Sequence, residues 1–187
     1  MVFQQELLLD HVVLLLPYRS VVEPPAWLTG NFIVSAGRSQ SDGKTMNRLI
    51  FFKDGTYLEL IAFINDDPVK AAGHGWDKEF GVVDIAVSTR GTFDHKTLQE
   101  RLQQSGTKVS YADPMDGGRT PNEEPDPKWK VTFPQGIERG AVPFWCHDVT
   151  PREHRVPGNE GYTQHPCGAM GVAGIFMEVP RAEFDRV

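Results

Sequence analysis

The stretch Leu9-Asp10-His11-Val12-Val13 aligns with a second stretch, Val82-Val83-Asp84-Ile85-Ala86, and these are the only segments of the two halves that align visibly. The first stretch lies in the apolar segment 7–16 and the second in the segment 81–88, and each segment has the length and composition of a buried strand. After each strand, the sequence predicts a helix and then three further strands. The same order of elements is therefore predicted twice.

The first half contains a clear hairpin pattern. Asp54-Gly55 separates two β-rich runs, and this dipeptide is typical of a tight turn between antiparallel strands. Pro24 and Pro25 limit the helix that is expected between residues 20 and 28 to about one turn. The strands that are predicted after it span residues 31–36, 47–53 and 56–64.

The second half contains the clearest helix. Thr92 or Asp94 can cap its first turn, and Gly106 is typical of the residue that ends a helix. The strands that are predicted after this helix span residues 107–111, 128–133 and 142–149. A polar segment then leads to a last predicted strand over residues 171–179, which is apolar on one face.

This order of elements predicts the fold class. A βαβββ module cannot easily cover both faces of its sheet, so two such modules should pair and form a concave cleft between them. We expect an α+β fold with a mostly mixed or antiparallel sheet. One domain is predicted over residues 1–150, with modules at about 7–64 and 80–150, and residues 151–187 are predicted to be a C-terminal extension with one strand.

The composition of the 187-residue chain restricts its partners. Hydrophobic residues make up 40% and charged residues 24%, which is typical of a globular protein. A formal net charge of -6 argues against a protein that binds nucleic acid or anionic lipid. The longest apolar run is far too short to cross a membrane. We therefore expect a small-molecule partner, no nucleic acid and no membrane.

The cysteines and the start of the chain predict a cytoplasmic location. The chain begins without the basic segment of a signal peptide. Cys146 and Cys167 do not form a CxxC pair or another spacing that is typical of a zinc site. We expect two unpaired, reduced thiols in a reducing compartment.

Two residues of the first half have side chains that can bind a metal. His11 lies on the first predicted strand and Glu59 on the last, each among apolar neighbours. A carboxylate on so apolar a strand needs a partner, which is either a metal ion or a hydrogen-bond network. Imidazole and carboxylate suit Zn, Fe, Mn, Ni or Co. The alternative is a His and a Glu that are satisfied by protein hydrogen bonds.

The second half offers two further candidate ligands. Asp84 lies on its first strand and His147 on its last, at the positions that correspond by strand order to the first pair. The four residues together would form a set of two imidazoles and two carboxylates. A shift of one residue in the register of the last strand would turn His147 to the other face, where it would face solvent. A hydrogen-bonded strand residue is the alternative for Asp84.

Six short motifs together carry a family resemblance. In the first half they are Leu9-Asp10-His11-Val12-Val13, Thr45-Met46-Asn47-Arg48-Leu49-Ile50 and Tyr57-Leu58-Glu59-Leu60-Ile61, and in the second half Gly118-Arg119-Thr120, Trp129-Lys130-Val131 and Pro143-Phe144-Trp145. The chain resembles the glyoxalase-like domain of the vicinal oxygen chelate superfamily over about residues 8–150. The candidate substrate-binding residues in these motifs are Asn47, Arg48, Arg119, Trp129 and Trp145. The alternative for the two tryptophans is a place in the hydrophobic core.

The resemblance implies a fold and a class of activity. It implies paired βαβββ modules around a cleft, often with a divalent metal whose ligands come from first and last strands. His11 and Glu59 match that pattern directly, and Glu59 is expected to act as ligand or base. The function implied is a metal-assisted enzyme, such as a lyase or an isomerase, that acts on a small oxygenated organic molecule. A metal-free protein that binds a small molecule in the same cleft is the alternative.

The predicted C-terminal strand also suggests an assembly. Its apolar face arrives without the rest of a module to cover it, and an uncovered apolar strand favours association. Docking on a second copy of the chain would bury that face, so a homodimer is predicted. The alternative is that the strand folds back onto its own sheet.

Overall fold

The computed structural model describes residues 6–40, 42–117 and 127–178. The strands in these residues are β1 (Leu7–Leu15), β2 (Arg38–Ser39), β3 (Thr45–Phe51), β4 (Tyr57–Phe63), β5 (Gly81–Thr89), β6 (Ser110–Tyr111), β7 (Met115–Asp116), β8 (Trp129–Thr132), β9 (Pro134–Gln135) and β10 (Phe144–Asp148). The helices are α1 (Tyr18–Val22), α2 (Ala26–Thr29), α3 (Pro68–Ala71), α4 (His95–Ser105) and α5 (Glu160–Thr163).

Eight of these strands form one curled mixed sheet, in the order β2-β3-β4-β1-β5-β10-β8-β7. Strands β1 and β5 lie antiparallel at its centre, and each has the last strand of its own half, β4 or β10, as a parallel neighbour. Strands β6 and β9 form a separate antiparallel pair. The predicted α+β class with two equivalent halves is confirmed. We call β1 to β4 the first half and β5 to β10 the second half.

The turns and caps that the sequence predicts are present. Gly55, between β3 and β4, has a φ of 85°, a left-handed conformation that favours glycine. Asp94 caps α4 by accepting a hydrogen bond from the backbone N–H of Thr97, and Gly106 ends the helix with a φ of 74°. Pro24 and Pro25 separate α1 from α2, as the helix-breaking character of proline requires.

Two predicted strands are absent from the described residues. Residues 31–36 are irregular, because the backbone N–H groups of Asn31 and Phe32 are used to close the turn after α2 on the carbonyl of Leu28. Residues 171–178 also form no strand, and Phe176 is fully exposed there. An alternating apolar pattern gives a strand only where a neighbouring strand accepts its hydrogen bonds.

The extension after β10 packs against the first half. His165 lies between Phe32 and Phe52 and is hydrogen-bonded through Nε2 to the carbonyl of Phe51 at 2.8 Å. Its Nδ1 accepts a hydrogen bond from the backbone N–H of Ile33 at 3.0 Å. The extension is therefore joined to the sheet by buried polar contacts. No helix of the described residues is long and apolar enough to cross a membrane.

Candidate metal and substrate site

A cavity of about 410 Å³ lies between the two halves of the sheet. This volume is in the range of small-molecule sites in proteins. Polar side chains of the first half and aromatic side chains of the second half dominate its wall. The wall residues that matter most below are His11, Asn47, Glu59, Trp76, Gly117, Trp129, Phe133, Arg139, Phe144 and Cys146.

His11 lines this cavity, and its neighbour Asp10 lies beside its ring because β1 is bulged. The pairing of β1 with β5 skips one residue between Leu9 and His11, so Asp10 is an extra residue of β1. Adjacent strand residues normally face opposite sides of a sheet. Here the Asp10 Oδ1 lies only 2.6 Å from the His11 Nδ1. The bulge therefore places an imidazole and a carboxylate side by side.

Two arginines of the extension hold Asp10 in place. Arg155 donates hydrogen bonds to its two carboxylate oxygens at 3.1 and 2.8 Å, and Arg152 donates one at 2.7 Å. Burial by itself would raise the pKa of Asp10, but the charge of Arg155 and the hydrogen bond with His11 outweigh it and hold that pKa well below its ordinary value. Asp10 is therefore an anion that fixes the orientation of the His11 ring.

The other nitrogen of His11 faces the first half's last strand. The ring stacks on Tyr57 with a centroid separation of 4.4 Å, and its Nε2 lies 3.5 Å from the Glu59 Oε2. Burial lowers the pKa of His11, but the hydrogen bonds with Asp10 and Glu59 outweigh it and raise that pKa above its ordinary value. A cation that binds at Nε2 must displace a proton held between two carboxylates.

Glu59 is oriented by two amide side chains, Asn47 on the neighbouring strand β3 and Gln40 just after β2. Asn47 donates a hydrogen bond from Nδ2 to the Glu59 Oε1 at 2.6 Å, and Gln40 donates a second at 3.3 Å. Asn47 lies on β3, beside β4, and its side chain faces the cavity. The carboxylate is nearly buried, with 8% of Glu59 exposed. These amides hold Oε1, while Oε2 faces His11.

The spacing of His11 and Glu59 fits two ligands of one divalent ion. Two atoms that each lie 2.0–2.2 Å from a tetrahedral ion are about 3.4 Å apart. The observed distance between His11 Nε2 and Glu59 Oε2 is 3.5 Å. A carboxylate on the far nitrogen, as Asp10 provides, is also the usual way in which proteins orient a metal-ligating imidazole.

A second group of potential ligands is less suited to a metal. Asp10, His11 and Cys146 offer ligand atoms that lie within 4.8 Å of one another. Both oxygens of Asp10 already accept hydrogen bonds from arginines, whose charge repels a cation. Burial raises the pKa of the Cys146 thiol well above its ordinary value, so the thiolate that a metal requires is disfavoured. The pair formed by His11 and Glu59 is therefore the better candidate.

Asp84 is committed to contacts within the second half. Its Oδ2 accepts hydrogen bonds from the Nε of Arg139 and, at 3.0 Å, from the indole Nε1 of Trp76. Its Oδ1 accepts one from the backbone N–H of Ile85 at 2.9 Å. Only 1% of Asp84 is exposed. The structure pairs this carboxylate with an arginine and does not bring it to the pair of His11 and Glu59.

His147 lies on the opposite face of β10. Phe144 and Cys146 of this strand line the cavity, and side chains alternate along a strand, so Trp145 and His147 point away from it. The rings of Trp145 and His147 pack on Phe93, with centroid separations of 5.0 and 4.4 Å. The register of β10 thus separates His147 from His11, and the four predicted ligands do not converge on one point.

The predicted substrate-binding residues are also divided between the two faces. Asn47 and Trp129 line the cavity. Arg48 lies on the opposite face of β3, where it donates hydrogen bonds to the backbone carbonyls of Val21, Ser35 and Val22 and so has a structural role. Trp145 lies on the opposite face of β10, as described above. Arg119 lies outside the described residues.

Arg139 is a wall residue that the sequence does not reveal. Its guanidinium carbon lies 3.6 Å from the ring centroid of Phe133 and 4.9 Å from that of Phe144. Gly140 after it has a φ of 83°, and a Cβ there would meet the carbonyl oxygen of Val83 at 2.2 Å, so the turn that carries Arg139 requires glycine. Arg139 lies in an irregular segment without periodicity, which is why sequence analysis missed it. The only local sign is the glycine.

Comparison with known proteins adds a family and a fold. A family model described as a glyoxalase-like domain matches residues 9–186. No curated protein matches the chain. A hypothetical protein from Staphylococcus aureus has a similar structure, with a TM-score of 0.61 and 19% identity over 85% of this chain. The aligned region spans 66% of that protein, which is less than two thirds of its length.

Two other solved structures are similar at low sequence identity. Methylmalonyl-CoA epimerase from Mycobacterium tuberculosis gives a TM-score of 0.52 with 18% identity, over 83% of this chain and 97% of the epimerase. A hypothetical protein from Bacillus halodurans gives a TM-score of 0.51 with 11% identity, over 79% of this chain and 96% of its own. At such identities the similarity establishes the fold and leaves the reaction open.

Proposed function

Because the chain belongs to the glyoxalase-like domain family and has the vicinal oxygen chelate fold, we propose that it is a metal-assisted enzyme that acts on a small oxygenated organic molecule. The reaction is of the isomerase or lyase class. The ion is Zn, Fe, Mn, Ni or Co, since imidazole and carboxylate ligands suit each of these.

One observation carries this proposal. The His11 Nε2 and the Glu59 Oε2 lie 3.5 Å apart at the wall of the cavity, and Asp10 holds the other nitrogen of the His11 ring. These two residues would hold the ion, and a bound divalent ion supplies Lewis-acid polarisation of substrate oxygens. The protein ligands are few, so other coordination positions are open to the substrate.

The residues around the pair have distinct parts in this proposal. Asn47 and Gln40 keep the Glu59 carboxylate in one orientation, through hydrogen bonds of 2.6 and 3.3 Å to its Oε1. Glu59 is the group that can accept a proton from the substrate in addition to its part as a ligand. Tyr57 and Phe144 pack against the His11 ring and exclude water from it.

Metal content measured by elemental analysis, after purification without a chelator, tests the proposal. We expect a stoichiometric divalent ion in the native protein and its loss in His11→Ala and Glu59→Gln. His147→Ala is the matched control, because this histidine lies on the opposite face of the sheet and packs on Phe93. Its metal content should equal that of the native protein. Circular dichroism shows whether each variant remains folded.

Two outcomes would overturn the proposal. Full metal content in both His11→Ala and Glu59→Gln would remove these residues as ligands. No stoichiometric metal in the native protein, together with no gain of activity on a metabolite panel when divalent ions are added, would favour the second candidate. That candidate is a metal-free binding protein. The ion pair of Asp84 and Arg139 favours it, because this pair removes Asp84 from the predicted metal ligands and places a cation at the cavity wall.

We further propose a cytoplasmic location and a homodimer. Both cysteines of the chain are free, which suits a reducing compartment. Ile175, Phe176 and Met177 are 39%, 100% and 62% exposed, an apolar group that a second copy of the chain would cover. Light scattering should give a dimer for the native chain and a monomer for Phe176→Ser. A native monomer contradicts the proposed dimer, and a dimeric variant excludes Phe176 from its interface.

A further inference from the structure

A buried donor without a partner stands in the wall of the cavity. The Arg139 Nη2 is buried and has no hydrogen-bond partner among the described residues, although Arg139 lines the cavity. A buried donor of a charged group is expected to be paired, because leaving it unpaired is unfavourable. The Nε of the same guanidinium donates to Asp84. One nitrogen of this cation is thus committed, and Nη2 is not.

The surroundings of Arg139 hold its guanidinium in place. Phe133 lies under its plane at 3.6 Å, and the rings of Phe144 and Trp76 lie 4.9 and 5.4 Å from its central carbon. Trp76 also donates to the same oxygen of Asp84 that accepts from Arg139. Aromatic faces and a fixed carboxylate restrict the side chain to one orientation. A guanidinium that is oriented in advance is suited to a planar anion.

We infer that Arg139 is the anion-recognition residue of this cavity, and that the substrate is a small carboxylic acid. This inference deepens the proposed function and rests on it for the identity of the ligand as a substrate. The carboxylate of the substrate pairs with the guanidinium of Arg139 at the cavity wall, while the other oxygens of the substrate reach toward His11 and Glu59 across the cavity. The aromatic wall formed by Trp129, Phe133 and Phe144 favours a planar or unsaturated acid.

A matched pair of probes isolates the charge of the ligand. Benzoate and benzamide have the same planar shape and differ in the charged carboxylate. Calorimetric titration of the native protein after removal of metal with EDTA should give at least about tenfold tighter binding for benzoate, and this preference should fall as salt is added. Because metal is absent from the titration, the outcome does not depend on whether His11 and Glu59 bind an ion.

Variants assign the preference to Arg139. Arg139→Lys keeps the charge but loses the planar fork, so benzoate binding should weaken about tenfold. In the double variant Arg139→Gln with Asp84→Asn, no carboxylate is left unpaired, and the preference for benzoate should disappear. Arg90→Gln is the control, because this arginine is exposed and paired with Glu6. It should bind benzoate as the native protein does.

The possible results separate this inference from the proposed function. Equal affinity for benzoate and benzamide, no binding of either probe, or an undiminished preference in the folded double variant would overturn the inference. The metal content of the double variant should remain that of the native protein, since Arg139 and Asp84 are not ligands. Loss of metal from His11→Ala with retained preference for benzoate would support both.

Discussion

The two halves of the sheet have the same strand framework and different side chains at the cavity. In the first half, His11 on β1 and Glu59 on β4 bring a nitrogen and an oxygen to 3.5 Å from each other. In the second half, Asp84 on β5 is paired with Arg139, and Phe144 on β10 supplies an aromatic ring. The first half therefore offers ligands for a cation, and the second half offers a cation of its own.

This difference shows that two halves with the same strand order can have different binding chemistry. The strand order fixes which positions face the cavity, because parallel partners place β4 beside β1 and β10 beside β5. The chemistry then depends on the residue at each position. One half is suited to hold a metal ion and the other to hold the anionic end of a ligand. Both halves also bury a carboxylate, Asp10 or Asp84, against arginine.

The largest effect on stability is expected from removing the charge of Asp10, the buried carboxylate of the first half. Asp10→Asn removes one of the carboxylate partners of Arg155, which is only 2% exposed, and although Asp148 remains, the charge is left incompletely paired in the core. Loss of one partner of a buried ion pair destabilises proteins by about 3–5 kcal/mol. The free energy of unfolding from urea denaturation should fall by about that amount. The exposed Arg19→Met is the control and should change it by about 0.5 kcal/mol or less.

Removing the charge of Asp84, the buried carboxylate of the second half, should lower the free energy of unfolding by less. Asp84→Asn also leaves an arginine without its ion-pair partner, but the Arg139 side chain is 17% exposed and keeps its aromatic contacts. We expect a loss of about 1–3 kcal/mol in the free energy of unfolding, measured in the same urea titration. If Asp84→Asn proved more destabilising than Asp10→Asn, the ion pair of the first half would not be the more important one for stability.

A substitution at the edge of the sheet should change the cavity with little effect on the first half. A Cβ on Gly117 would lie 1.9 Å from the Trp129 Nε1, so Gly117→Ala must displace the indole. We expect a change in tryptophan fluorescence and weaker binding of benzoate, by about three- to tenfold, from loss of the aromatic contact. Metal content should stay unchanged. An unchanged affinity for benzoate would show that Trp129 is not part of the binding wall.

The smallest effect is expected at α4, the long helix of the second half, where the first half has only the short helices α1 and α2. Asp94 accepts hydrogen bonds from the backbone N–H and the hydroxyl of Thr97, and these hold the pKa of Asp94 below its ordinary value of 3.8. The group therefore stabilises the folded state above about pH 4, and this contribution is lost as the pH falls below that value. Asp94→Ala should lower the melting temperature slightly at pH 7, and by less at pH 2.5. Equal shifts at both pH values would exclude the ionised cap as the cause.

The sequence patterns predicted the fold class and the candidate ligands of the first half, but not the cavity wall of the second half. The strand patterns pointed to His11 and Glu59 as candidate ligands, because Glu59 is a charged residue in an otherwise apolar strand and His11 lies on a predicted strand with mostly apolar neighbours. The pattern could not predict the bulge at Asp10, since a bulge breaks the period on which alternation relies. The pattern also could not fix the register of β10. In the structure Phe144 and Cys146 face the cavity and His147 does not, and a shift of one residue would reverse this.

Those patterns could not predict the roles of residues in irregular segments. Arg139 lies between β9 and β10, and Arg155 lies in the extension after β10. Each is buried by contacts with residues far away in the chain, Asp84 and Asp10, and a long-range ion pair leaves no local pattern. The predicted C-terminal strand failed for a related reason, because alternation within residues 171–178 does not supply the partner strand that pairing requires.

We propose that the first half holds a divalent ion through His11 and Glu59. Crystals of the native protein soaked in zinc, measured on both sides of the zinc absorption edge, test it most directly. We expect an anomalous peak at about 2.0–2.2 Å from the His11 Nε2 and from a Glu59 oxygen. A peak on Asp10 and Cys146, or no peak within coordination distance of His11 and Glu59, would contradict it.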